Sequence, residues 1–115
     1  MIKRMIAALV LVGAVSGCSD PDSDWLYDGS SVGLDRQQWS EAQPGRKLGT
    51  AGFWLRNLNK DGWLNDGALV EGPEFKQNAQ MLVDCLDSSI SVSKAETNHL
   101  VASCVQTMGW GAQKS

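Results

Sequence analysis

Histidine is almost missing from this 115-residue chain, and His99 is its single instance. One imidazole cannot build a histidine-based metal set. No serine–aspartate or cysteine grouping accompanies it to make a nucleophilic centre. His99 also falls off the main apolar face of its helix, where a surface or rim position is expected. Cations are in short supply too, with 10 Lys and Arg against 13 Asp and Glu. That balance argues against nucleic acid as a partner and against a polybasic grip on anionic lipid. No apolar run reaches the roughly 20 residues needed to span a bilayer as a helix. Gly45, Gly49 and Gly52 follow no strand and lead to no Gly-Lys-Ser/Thr ending, so a phosphate-binding loop is excluded.

What is present begins at the N-terminus. Lys3 and Arg4 precede an apolar run from Met5 to Val15, and Val15-Ser16-Gly17-Cys18 closes it. A short apolar stretch with a positive flank and small residues at its end is the pattern of a secretion signal. The last four residues resemble the lipobox of bacterial lipoproteins, in which a branched apolar residue and two small residues precede a cysteine. Val15 stands where leucine is commoner. The resemblance covers about the first eighteen residues and implies cleavage before Cys18, diacylation of its sulfur and frequent acylation of the new amine. One acyl chain binds a membrane only marginally, and two or three make attachment effectively permanent. Ser19 follows the cysteine where an aspartate would favour retention in the inner membrane, so the outer membrane is expected. The resemblance supplies an address and an anchor but no activity.

With residues 1–17 removed, 98 residues remain, with eight basic and 13 acidic side chains and a net charge of −5. That is one small domain, able to bury a core without much surplus stability. Assigning Cys18 to lipid leaves Cys85 and Cys104, an even pair in an oxidising compartment, and a disulfide is expected. Two cysteines and one histidine are too few for structural zinc. Residues 18–31 are rich in Asp, Ser and Gly and read as an acidic tether. Trp25, Leu26 and Tyr27 interrupt it and either pack on the domain, the simpler expectation, or sit among lipid headgroups.

Residues 32–115 read as a small helical domain. Asp35 and Gln38 can form a capping box, with Leu34 and Trp39 as a hydrophobic staple, opening a short helix to about Gln43 that Pro44-Gly45 ends. Arg46 to about Lys60 reads as a second and central helix, with Leu48, Ala51, Leu55 and Leu58 at helical spacing. Gly49 and Gly52 each cost it about 1 kcal/mol relative to alanine. Close approach of another backbone or of a Trp ring would offset that cost; otherwise the glycines break the helix. Asn57, Asn59, Asp61 and Gly62 follow the first half of a calcium loop, but Ala68 stands where a bidentate glutamate is required. A helix stop at Asp61-Gly62 accounts for the same residues. Phe75, Ala79, Leu82, Val83 and Leu86 form the cleanest stripe, on a helix opened by Pro73. Ser93 to Glu96 matches a capping box for a last helix, closed by Gly109 with Trp110 folding back on Val105. For the disulfide to close, this helix must start some 10 Å past the end of the preceding one, with residues 88–92 drawn out.

The expected architecture is therefore all-α: three or four short helices, a hairpin pinned by Cys85–Cys104, and a flexible N-terminal tether. No constellation carries specific chemistry. Glu71, Glu74, Asp84 and Asp87 cluster in sequence, but solvated helix flanks explain them better than a paired-carboxylate site. Five tryptophans are many for so small a chain, and tryptophan is enriched at interface hot spots. These features favour a non-enzymatic binding or assembly accessory of another envelope protein, without metal or cofactor, and Phe53, Trp54 and Trp63 are the expected contacts. A small inhibitor or exclusion lipoprotein acting on a foreign or secreted factor is the alternative. A ligand carrier or hydrolase would need a closed apolar cavity or a buried carboxylate pair.

Overall fold

A computed structural model of the protein describes residues 24–112; the expected signal segment and lipidation site Cys18, with residues 19–23 and 113–115, lie outside that range. The chain forms α1 (Arg36–Glu41), α2 (Pro44–Lys60), α3 (Glu74–Ile90) and α4 (Thr97–Thr107), with 3₁₀ turns at Asp24–Asp28 and Gly67–Val70. Among the described residues, extended pairing is limited to an isolated antiparallel bridge between Leu64 and Gly111. The all-α reading holds. Helix α2 is central, packing against α3 and both 3₁₀ turns, while α3 in turn carries α4.

Local chemistry explains most of these elements. The Asp35 carboxylate accepts the Gln38 N–H, and the Gln38 side chain accepts the Asp35 N–H, so the capping box at α1 is complete. Leu34 and Trp39 are both buried beside it, as a staple requires. Pro44 does not simply end α1; it opens α2, where a missing N–H costs nothing. Five residues of the α3 stripe (Phe75, Ala79, Leu82, Val83 and Leu86) are all buried. They meet Leu100, Val101, Cys104 and Val105 of α4. Each such aliphatic side chain, once buried, contributes about 1.5–3 kcal/mol.

Cys85 and Cys104 form a disulfide with their Cα atoms 6.0 Å apart. The long offset between the two helices is not needed. Helix α3 runs on to Ile90, five residues past Cys85, and α4 starts at Thr97, seven residues before Cys104. The axial mismatch falls to about 3 Å at 1.5 Å per residue. The capping box at Ser93 is also corrected. The Ser93 hydroxyl accepts the Ala95 N–H, and the Ala95 carbonyl accepts from the Arg36 guanidinium at 2.8 Å. Those bonds hold Ser93 to Ala95 in a turn, so Glu96 becomes the N-cap of α4, without a side-chain cap. Arg36 also reaches the Ile90 carbonyl at 3.2 Å and so satisfies part of the α3 C-terminus.

Packing on the domain reaches back to the 3₁₀ turn at Asp24–Asp28, ahead of residue 32, as the simpler expectation for Trp25 and Leu26 has it. Leu26 is fully buried, and Trp25 meets Phe75 edge-on with ring centroids 5.0 Å apart. The 3₁₀ turn lies antiparallel on α2, with Trp25 and Leu26 over Gly52 and Gly29 over Gly49. The glycines of α2 therefore admit both a backbone and a Trp ring, and the helix continues through them. Buried Thr50 completes the contact: its hydroxyl donates to the Arg46 carbonyl and accepts the Ser30 N–H at 2.9 Å.

A second buried threonine ties α4 to the chain ahead of α1, its hydroxyl donating to the Leu34 carbonyl across 63 residues. Thr97→Val keeps the shape and orphans that carbonyl. We expect a loss of about 1–3 kcal/mol, measured by urea denaturation with an unchanged m-value.

Candidate partner-binding surface

Trp63 follows a helix end that the sequence specifies in full. Gly62, at φ 81°, adopts the left-handed conformation that ends α2. The Trp63 N–H donates to the Leu58 carbonyl at 2.8 Å and the Gly62 N–H to that of Asn59 at 3.1 Å, the two bonds of a Schellman motif. Helix α4 ends the same way. There Gly109 has φ 77° and the Trp110 N–H donates to the Val105 carbonyl at 2.9 Å. The two ends are then stitched together. The Asn65 N–H donates to the Trp110 carbonyl and the Ala112 N–H to that of Trp63, each at 2.8 Å. The Asn65 amide adds a bond to the Gly109 carbonyl at 2.7 Å.

This stitching holds the Trp63 backbone from both sides while the ring stays 48% exposed. The indole borders an apolar groove of about 230 Å³, lined also by Leu58, Ala102, Val105 and Gln106. Leu58 was legible as part of the α2 stripe, but Ala102 and Gln106 lie off the α4 stripe, and no periodicity marks them. The groove is smaller than the roughly 300–1,000 Å³ of small-molecule sites. Its size suits one inserted side chain.

Phe53 and Trp54 lie elsewhere. Half-buried Phe53 meets Tyr27 edge-on at 6.1 Å and lines a hollow of about 390 Å³ with Arg56 and Lys60. Half-buried Trp54 leans on Trp39 at 5.8 Å and walls another hollow, of about 580 Å³, with Arg46, Gln38 and Glu96. The three expected contacts therefore border three separate depressions. Trp39 is wholly buried. Its indole N–H donates to Asp87 at 2.8 Å, and Lys47 reaches the same carboxylate oxygen at 3.0 Å. Trp25, Trp54 and Trp110 pack partly against the core. Most of the tryptophan content thus builds the fold, and Trp63 is the ring left at the surface.

The clustered carboxylates are all exposed, and among the described residues the buried polar side chains are Thr50 and Thr97. Asp84 accepts from the Gln80 amide, and Asp87 is committed to Trp39 and Lys47. Asn57 and Asn59 sit on helical backbone, not in a loop that could wrap a cation. No group of three His, Cys, Asp or Glu side chains comes together among the described residues. Nor is any described helix long and apolar enough to cross a membrane. No family model matches the chain, and neither a curated protein nor a solved structure matches it.

Proposed function

We propose that the protein is a non-enzymatic accessory of the bacterial envelope, anchored through acylated Cys18 and binding another envelope protein at the Trp63 groove. By the Ser19 rule the anchor lies in the outer membrane. The observation that carries the binding site is a half-exposed indole on a doubly fixed backbone beside an apolar groove. Such a group costs little ordering on association, which is what an interface anchor requires. Phe53 and Trp54 border other hollows and contribute less to this contact.

Two measurements test the proposal. A fatty-acid analogue fed to expressing cells should label the wild-type protein and not Cys18→Ala; an unlabelled wild type removes the anchor. In pull-downs from solubilised membranes, Trp63→Ala should lose a resident envelope protein by about thirtyfold in affinity, the size of a hot-spot truncation. The same change should alter stability by less than about 1 kcal/mol. Recovery of a foreign or secreted factor instead would favour an inhibitor or exclusion role.

A further inference from the structure

We propose that the Phe53–Lys60 edge of α2 is the face the domain lays on the membrane, with Arg56 and Lys60 taking the phosphates of anionic lipid headgroups. This rests on the lipid anchor proposed above and adds an orientation to it. The chain is acidic as a whole, yet α2 carries Arg46, Lys47, Arg56 and Lys60 and no carboxylate. Lys47 is neutralised by Asp87. Arg56 and Lys60 are exposed, and among the described residues neither has a carboxylate within ion-pair distance. Like charges four apart on a helix repel, so an external anion relieves a cost built into this edge. The hollow they border, about 390 Å³, is lined further by Ser31, Phe53, Asn57, Asn59 and Val70. It offers hydroxyl and amide groups beside the two cations and contains no carboxylate.

The entry point of the chain selects a lipid surface as the occupant. Asp24, the first described residue, stands beside Trp25, whose ring lies over Gly52, one residue from Phe53. Only five residues lie between Cys18 and Asp24, and the six steps from one to the other limit the reach to about 20 Å. Tyr27, 69% exposed and edge-on to Phe53, stands on the same side. An amphipathic ring of this kind favours the headgroup layer. Asp28, on the same turn, lies instead near Gly45 at the opposite end of α2, where a negative charge suits the helix dipole.

The test uses full-length mature protein in nanodiscs of phosphatidylcholine alone or with about 30 mol% phosphatidylglycerol, the added charge being the variable of interest. Amide hydrogen exchange is read over residues 53–60. We expect exchange up to about thirtyfold slower with phosphatidylglycerol, the scale set by two cations near an anionic surface. The slowing should vanish in Arg56→Gln/Lys60→Gln and persist in Trp63→Ala. Equal exchange in the two lipids overturns the proposal. So does equal protection by inorganic phosphate with the protein in neutral detergent, which would make the hollow a free-phosphate site. The intact mass of the same sample shows whether Cys18 is acylated, so a missing anchor is distinguished from an indifferent surface. An unacylated protein is scored by co-sedimentation with the same two lipids as vesicles, where equal retention again overturns it.

Discussion

Replacing Gly49 with alanine is expected to lower the thermal unfolding midpoint by roughly 10–20 °C. Helix propensity alone points the other way, since alanine is better than glycine by about 1 kcal/mol in a helix interior. Packing decides the sign. A Cβ on Gly49 would lie 2.4 Å from the Gly29 nitrogen and 2.6 Å from the Leu26 carbonyl oxygen. Both are backbone atoms of the docked turn and cannot swing aside as a side chain would. Overpacking of this kind costs about 1–3 kcal/mol and occasionally more, and 1 kcal/mol shifts the midpoint of a domain this size by about 4–8 °C. Gly45→Ala is the control. Its nearest obstacle is the Asp28 carboxylate at 3.9 Å, so the change should be neutral or stabilising by up to about 1 kcal/mol. Equal behaviour of the two variants in a calorimetric scan would mean that the turn is not docked on α2 as described.

Removing the disulfide should be similarly damaging. Cys104 is buried where α4 packs on α3, and α4 is short, with eleven residues. Cys85→Ser/Cys104→Ser is expected to destabilise by about 2–5 kcal/mol. Hydrogen exchange should show the loss first in α4, whose hold on the rest then falls to its apolar stripe, the Thr97 bond and the C-terminal stitching. A double variant within about 0.5 kcal/mol of wild type would show that the covalent link is dispensable.

How much of this was legible from residues alone follows from the range of the interactions. The α3 stripe, the α1 capping box and the two glycine helix stops are each written within a dozen or so consecutive residues, and all were read. The docked 3₁₀ turn was not. Trp25, Leu26 and Tyr27 are contiguous, so no periodicity marks them, and the partners Gly29 and Gly49 lie twenty residues apart. The start of α4 was misplaced because a side chain 59 residues away, Arg36, takes the Ala95 carbonyl. Phe53 and Trp54 were grouped with Trp63 by residue type. Their separation depends on the turn and α1 covering parts of α2, which no local pattern encodes.

The hydrogen-bonded stitch between the ends of α2 and α4 also has a kinetic meaning. Leu64 and Gly111 lie 47 residues apart, so joining them closes a long loop whose entropy must be met before any bond rewards it. The local helices can form earlier, but the Trp63 groove exists only once residues 102–112 have arrived. A chain that stops short of that segment therefore presents no finished groove, and engagement waits until the segment has been made and has folded back.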